Sequence, residues 1–163
     1  MLLFHRDFRG LTGGHLKVWH YLRHTAGSRR YRPGLFLTAA SRRDASNPFL
    51  DTERDWLQAM WDPERAEALF VAGLDWEAVP VDWPKPIVNL VQGVRHASVG
   101  DPRRRFLGRR AVRICVSGEV ADAITATGEV NGPVITIPNA IEVPIAGNSA
   151  ADRHTPLLVA GWK

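Results

Sequence analysis

The residues best placed for chemistry follow an apolar run at the amino terminus. Residues 2–6 have the composition of a buried strand, and they lead through a glycine-rich turn into a helical segment that begins near His15. Thr12 is suited to cap that helix, and Gly13 and Gly14 carry no Cβ, so a ligand can approach their backbone closely. The free N–H groups of the first helical turn favour an anionic or polyhydroxylated ligand. The alternative is a tight turn that binds nothing.

A second group of polar side chains accompanies the fourth apolar run of the chain. Asn89 lies within this run, and Gln92, Arg95 and His96 follow it. Open α/β sheets bind ligands at the carboxyl ends of their strands, so these residues are candidates for a binding site. A neutral imidazole at His96 can bond a sugar hydroxyl, and the Arg95 guanidinium suits a phosphate. The alternative is that His96 is a loop histidine without a role, and that Asn89 and Gln92 are ordinary caps.

The elements that must position these residues alternate along the chain. Strands are predicted at residues 2–6, 35–38, 68–72, 87–91, 112–116 and 134–137. Continuous apolar strands are typical of a parallel sheet that is covered on both faces. Because helical segments separate them, the sequence predicts an α/β fold with a Rossmann-like, doubly wound and mostly parallel sheet.

The helix signals are caps, prolines and glycines. They predict a first helix from Thr12 to about Gly27, a helix that opens at Asp51, short helices at Asp62 and Asp101, and a helix over 118–126 capped by Ser117. In the second of these, Trp56, Leu57, Met60 and Trp61 are predicted to share one face.

Composition narrows the function classes. The chain has 163 residues, a net charge of +4 and a single cysteine, Cys115. This length predicts one domain, and no apolar run is long enough to span a bilayer. We expect a cytoplasmic protein, with peripheral contact at the inner membrane left open. The arginine clusters at 29–32, 42–43, 103–105 and 109–110 suit phosphates or carboxylates, but acidic residues intersperse them and no nucleic-acid motif is present.

Four segments together resemble a known family. They are the turn at 11–15, the Asn-Leu-Val-Gln-Gly-Val-Arg-His segment at 89–96, the Val-Ser-Gly-Glu-Val turn at 116–120, and residues 134–142. In this order and spacing they resemble the acceptor-side domain of GT-B-fold glycosyltransferases of the retaining, glycogen-synthase-like group. The Ile-Pro-Asn-Ala-Ile-Glu run that ends at residue 142 carries most weight, although Ala140 stands where the family has glycine.

The resemblance implies a two-domain enzyme. Residues 1–142 would be the amino-terminal, acceptor-side domain, with an interdomain hinge at Pro138, Asn139 and Ala140. Residues 143–163 would be a linker and the first strand of a donor-binding domain that this chain lacks. We therefore expect the chain alone to be inactive, and the apolar strand at 157–160 to offer an edge for a homodimer.

The resemblance also implies the reaction and the site. A sugar would pass from a nucleotide-sugar donor to a hydroxyl of a carbohydrate or glycolipid acceptor, with no cofactor and no metal. The acceptor would be held by Thr12, Gly13, Gly14, His15, Gln92 and Arg95. His96 would be the catalytic residue, near the transferred sugar.

Other interpretations remain open at this stage. One is a non-catalytic Rossmann-like module that binds a phosphorylated or sugar ligand. Another is a dinucleotide-dependent oxidoreductase, which the missing Gly-x-Gly-x-x-Gly pattern disfavours. The loop that holds Trp76 and Trp83 is a candidate wall for a sugar ring, with core packing as the alternative.

Overall fold

Six short runs of mostly apolar residues form the sheet. The strands are β1 (Leu2–Arg6), β2 (Pro33–Leu37), β3 (Ala68–Ala72), β4 (Ile87–Val91), β5 (Val112–Cys115) and β6 (Val134–Thr136). Every pairing is parallel, and the strand order is β2-β1-β3-β4-β5-β6. The computed structural model describes residues 1–139, and over this range the predicted Rossmann-like α/β fold is confirmed.

The two helices cover opposite faces of the sheet. Helix α1 (Gly13–Ser28) buries Val18 and Leu22 in a core cluster that also contains Phe4 of β1 and Phe70 of β3. Helix α2 (Gly118–Thr125) packs in a separate cluster with Cys115, whose neighbour Ile114 lies against the first cluster. Successive strand residues therefore point to opposite layers, which is why the strands read as continuous apolar runs.

The predicted starts of α1 and α2 are confirmed. The Thr12 hydroxyl accepts a hydrogen bond from the backbone N–H of His15 at 3.3 Å, and Ser117 does the same for Val120 at 3.3 Å. The predicted end of α1 at Gly27 is wrong, because the helix continues to Ser28 and is closed by Arg29 in the left-handed conformation, with φ of 54°.

The helix predicted from Asp51 is also wrong. Residues 51–61 contain only a single 3₁₀ turn, Arg54–Trp56, after which the chain runs beside β2. Leu57 forms a parallel bridge with Leu35, and the Gln58 N–H donates to the Leu35 carbonyl at 2.8 Å. Because the backbone at Leu57 and Gln58 pairs with β2, it cannot form the hydrogen bonds of a helix.

The short helices predicted at Asp62 and Asp101 are single 3₁₀ turns, Pro63–Arg65 and Arg104–Phe106. Three further 3₁₀ segments lie at Pro48–Leu50, Gly73–Ala78 and Val94–Ala97. The last two begin just beyond the carboxyl ends of β3 and β4, and they carry residues of the candidate site.

The predicted hinge begins at Pro138 and Asn139, which are exposed and follow β6 without regular structure. Ala140 and the predicted linker and strand over 143–163 lie outside the described residues.

Candidate functional site

A cavity of about 380 Å³ opens at the carboxyl edge of the sheet, above β1, β3 and β4. Strand β1 lies between β2 and β3, so the chain leaves β1 toward one side of the sheet and later returns on the other. Ligands of open α/β sheets bind at such a topological switch point. We call this the cationic cavity, because its polar lining residues are Arg6, Thr12, His15, Gln92, Arg95, His96 and Arg103.

The structure brings most of the predicted site residues together here. The lining includes Thr12, Gly14, His15, Gln92, Arg95 and His96. Gly13 is not part of the lining, and neither Pro138 nor Asn139 contributes to it. The two segments that the sequence singled out, 12–15 and 92–96, therefore face one space although they lie almost eighty residues apart.

The glycine-rich turn is held by Gln92. Its side-chain amide donates to the Gly14 carbonyl at 3.2 Å. A Cβ added at Gly14 would lie 2.8 Å from Oε1 of Gln92, whereas one added at Gly13 would meet nothing within 4 Å. A side chain at position 14 would therefore require the end of the Gln92 side chain to shift, whereas there is open space at Gly13.

The cationic cavity is positively charged. Arg6, Arg95 and Arg103 line it, and no carboxylate is found among its lining residues. Arg6 is paired with Asp75 and Arg103 is paired with Asp101 at 2.7 Å, so each of these carboxylates offsets the charge of its arginine. Arg95 is exposed and has no carboxylate within ion-pairing distance in the described part of the chain. Its guanidinium is therefore free to bind an anion.

The two histidines of the cavity are neutral at pH 7. Burial lowers the pKa of His96 to about 4, and the Arg103 charge adds to this effect. Burial and then the Arg6 charge lower the pKa of His15. Neutral imidazoles contribute one hydrogen-bond donor and one acceptor each, so they suit hydroxyl groups as well as anionic oxygens.

A buried ion pair beneath the cavity was missed by sequence reasoning. Arg6, the last residue of β1, donates through Nη1 to Asp75 in the turn after β3. Asp75 also accepts from the Ala72 N–H at 3.0 Å, which fixes its carboxylate. Both side chains are more than nine-tenths buried. The sequence does place each of these residues at or just after the carboxyl end of a predicted strand. It does not show that the two strands are neighbours in the sheet, so the pairing could not be predicted.

The ion pair also sets the state of His15. Arg6 Nη2 lies 3.0 Å from Nδ1 of His15. Arginine can only donate, so Nδ1 accepts and the proton of the neutral ring is on Nε2. His15 is thereby held with an N–H donor on the ring nitrogen that Arg6 does not use.

Two other candidates, Trp76 and Asn89, and the single cysteine have structural roles. Trp76 is buried and stacks on Phe106 with 5.9 Å between ring centroids, so it is not a wall for a sugar ring. Asn89 is buried within the sheet and donates to the Val71 carbonyl at 3.2 Å. Cys115 is fully buried, and burial raises its pKa to about 11, so it is not a nucleophile at neutral pH.

Comparisons with protein-family models, curated proteins and solved structures found no match to this chain. Among the described residues, no helix combines the length and apolar character needed to cross a membrane.

Proposed function

We propose that this chain supplies the acceptor-side half of a glycosyltransferase, and that the cationic cavity binds the phosphate-bearing part of its sugar ligand. The observation that carries the proposal is the lining of the cavity, in which two neutral histidines meet three arginines, and one of these, Arg95, has no carboxylate partner among the described residues. Its position at the switch point of a Rossmann-like sheet supports a ligand site on general grounds.

The side chains suit such a ligand. Arg95 offers a guanidinium with no competing carboxylate, and guanidinium groups bind phosphate oxygens through paired hydrogen bonds. His15 offers an Nε2–H donor, and the neutral ring of His96 can bond a sugar hydroxyl. Positive charge in this place would also stabilise a departing diphosphate during sugar transfer.

The proposed partners follow from this chemistry. The donor is a nucleotide-sugar, and the acceptor is a hydroxyl of a carbohydrate or glycolipid, with no cofactor or metal taking part. A cytoplasmic site for the reaction is supported by the single, buried and unpaired Cys115, which is typical of proteins in reducing compartments.

A second candidate function is a non-catalytic module that binds a phosphorylated ligand. It is favoured by the absence of any acidic side chain among the lining residues of the cationic cavity, which leaves no carboxylate there for proton transfer. The two candidates share the same binding chemistry and differ in whether a sugar is transferred.

Calorimetry tests the shared part. Titrate the full chain with pyrophosphate, a sugar phosphate, nucleotide-sugars and the corresponding neutral sugars. We expect the phosphorylated compounds to bind more tightly, and Arg95→Gln to weaken them at least about tenfold, or roughly 1.4 kcal/mol. Arg110→Gln is the matched control, because Arg110 is exposed and outside the cavity.

If both variants bound the phosphorylated compounds with equal affinity, the cationic cavity would not be the anion site. Transfer of a radiolabelled sugar by the chain, alone or joined to the donor-binding domain of a GT-B-fold glycosyltransferase, separates the enzyme from the binding module. Binding without transfer in either form would favour the module.

A further inference from the structure

A second cavity, of about 660 Å³, lies beside the first at the ends of β1, β2 and β3. We call it the mixed cavity, because both charge signs and polar groups line it, including His5, Asp7, Arg9, Thr38 and Glu77. The two cavities share Arg6, Ala72 and Gly73 in their walls, so the buried Arg6–Asp75 pair lies at their boundary.

The boundary pair contacts one histidine on each side, and the two contacts differ. His5 Nδ1 lies 3.3 Å from Oδ1 of Asp75. The Asp75 carboxylate also accepts from Arg6 and from the Ala72 N–H, so Nδ1 of His5 is the donor in this contact. Nδ1 of His15 in the cationic cavity is instead the acceptor of a hydrogen bond from Arg6.

The mixed cavity also differs from the first in that carboxylates, those of Asp7, Asp75 and Glu77, are among its lining residues. Burial alone would raise the pKa of Asp7, but hydrogen bonds from Thr38 and Arg9 outweigh it and leave the pKa below its ordinary value. The Asp7 carboxylate is ionised, and Arg9 balances its charge at 2.9 Å. Glu77 is balanced in the same way by Arg105 at 2.6 Å. Carboxylates whose charge is already balanced suit ligand hydroxyls, which donate hydrogen bonds without bringing a charge.

We propose that the mixed cavity binds an uncharged polyhydroxyl group, a sugar ring or a polyol, with Asp7 as an acceptor for its hydroxyls and His5 in the wall beside them. The inference rests on the proposed function in that one ligand would span both cavities, its phosphate in the cationic cavity and its hydroxyl-rich part in the mixed cavity. The substrate class is then a phosphorylated sugar or polyol.

Nuclear magnetic resonance of the full, ¹⁵N-labelled chain tests this directly, since backbone amides and histidine ring nitrogens are observed separately. The probes are glucose, mannose and myo-inositol at up to about 50 mM, because a single small polyol binds weakly. We expect at least one of them to shift the amides of Asp7, Thr38 and Leu74 and the ring nitrogens of His5. The amides of Arg95 and His96 should stay in place.

Leu74→Trp keeps the test independent of folding. Leu74 lines the mixed cavity and is 46% exposed, so an indole can fill the entrance without entering the core. This variant should abolish the polyol-induced shifts, and Asp7→Asn should weaken them at least threefold. Arg95→Gln should leave them unchanged. The proposal is overturned if no probe shifts these signals, or if the shifts persist in Leu74→Trp.

Pyrophosphate in the same experiment separates this inference from the proposed function. Shifts at Arg95 and His96 with pyrophosphate, but none at Asp7 with any polyol, would support the anion site and reject the mixed cavity as a polyol site. The reverse pattern would reject the anion site and support the polyol site.

Discussion

Two buried arginines lie at opposite ends of the sheet's strands, Arg113 at the amino edge and Arg6 at the carboxyl edge, and their hydrogen-bond partners differ. Arg113, near the amino end of β5, donates only to main-chain carbonyls, those of Phe106, Leu107, Arg109, Ala111 and Asn131, at 2.7 to 3.2 Å. Arg6, at the carboxyl end of β1, uses the side chains of Asp75 and His15. A guanidinium bonded to carbonyls fixes loops, whereas one bonded to titratable side chains sets their charge and protonation. The amino edge is therefore structural, and the carboxyl edge carries the candidate site.

The largest effect is expected at the structural arginine. Arg113→Met keeps most of the side-chain volume but removes the guanidinium donor from five carbonyls, of which those of Phe106, Leu107 and Asn131 keep a backbone N–H partner. We expect the free energy of unfolding to fall by about 3–5 kcal/mol, or the chain to fail to fold. Urea denaturation followed by tryptophan fluorescence measures this. Arg110→Met, three residues away and exposed, is the control and should change stability by less than about 0.5 kcal/mol. A fully stable Arg113→Met would mean that the carbonyls find other donors.

At the carboxyl edge, burial of His96 should make the stability of the chain depend on pH. The pKa of His96 in the folded chain is about 4, below the ordinary value of 6.5, because the ring is buried. The unfolded chain therefore binds more protons than the folded chain between pH 6.5 and 4, and stability is lost as the pH falls through this window. The loss is up to roughly 3 kcal/mol, with no change above pH 6.5 from this group.

Urea denaturation as a function of pH isolates the contribution of His96. His96→Gln should remove this part of the acid sensitivity, whereas His24→Gln, at an exposed position on α1, should keep it. Parallel pH profiles for the wild type and His96→Gln would show that the ring titrates normally in the folded chain.

Removal of the boundary ion pair as a unit tests whether Arg6 acts on the ligand. Arg6→Met with Asp75→Asn leaves no unpaired buried charge, and the asparagine oxygen can still accept from the Ala72 N–H. We expect a folded protein in which pyrophosphate binding is weakened about tenfold, roughly 1.4 kcal/mol, because the cavity wall loses the Arg6 guanidinium as a donor and His15 loses its fixed tautomer. Calorimetry with unchanged affinity would contradict a role for Arg6 beyond packing.

The smallest effects separate the two neighbouring glycines. Gly14→Ala pushes against Gln92 Oε1, which lies 2.8 Å from the added Cβ, so it should destabilise the chain by less than about 1 kcal/mol. Gly13→Ala has open space and a helical position, so it should stabilise by about 0.5–1 kcal/mol. Thermal denaturation of the two variants compares them, and in a Gln92→Ala background the penalty at Gly14 should disappear. If the two alanine substitutions changed the thermal stability equally, the contact between residue 14 and Gln92 would not affect stability.

The sequence was most informative where local chemistry decides the structure. Apolar runs located the six strands, and the hydroxyl caps Thr12 and Ser117 located both helix starts. The helix expected from Asp51 failed because Leu57 pairs with Leu35, a contact that the local pattern does not contain.

The same division holds for the candidate site. Residues 12–15 and 92–96 each follow a strand, so their convergence at the carboxyl edge was predictable. The pairing of Arg6 with Asp75, 69 residues apart, was not, because it depends on β1 and β3 being neighbours in the sheet. The burial of Trp76 against Phe106 likewise depends on tertiary packing.

The central claim is that the carboxyl edge, and the cationic cavity in particular, binds an anionic ligand. A crystal of the full chain soaked with pyrophosphate tests it most directly. The account predicts difference density for pyrophosphate in the cationic cavity, within hydrogen-bonding distance of the Arg95 guanidinium and of Nε2 of His15. Density found only at exposed arginines such as those at 29–32, with the cavity empty, would contradict it.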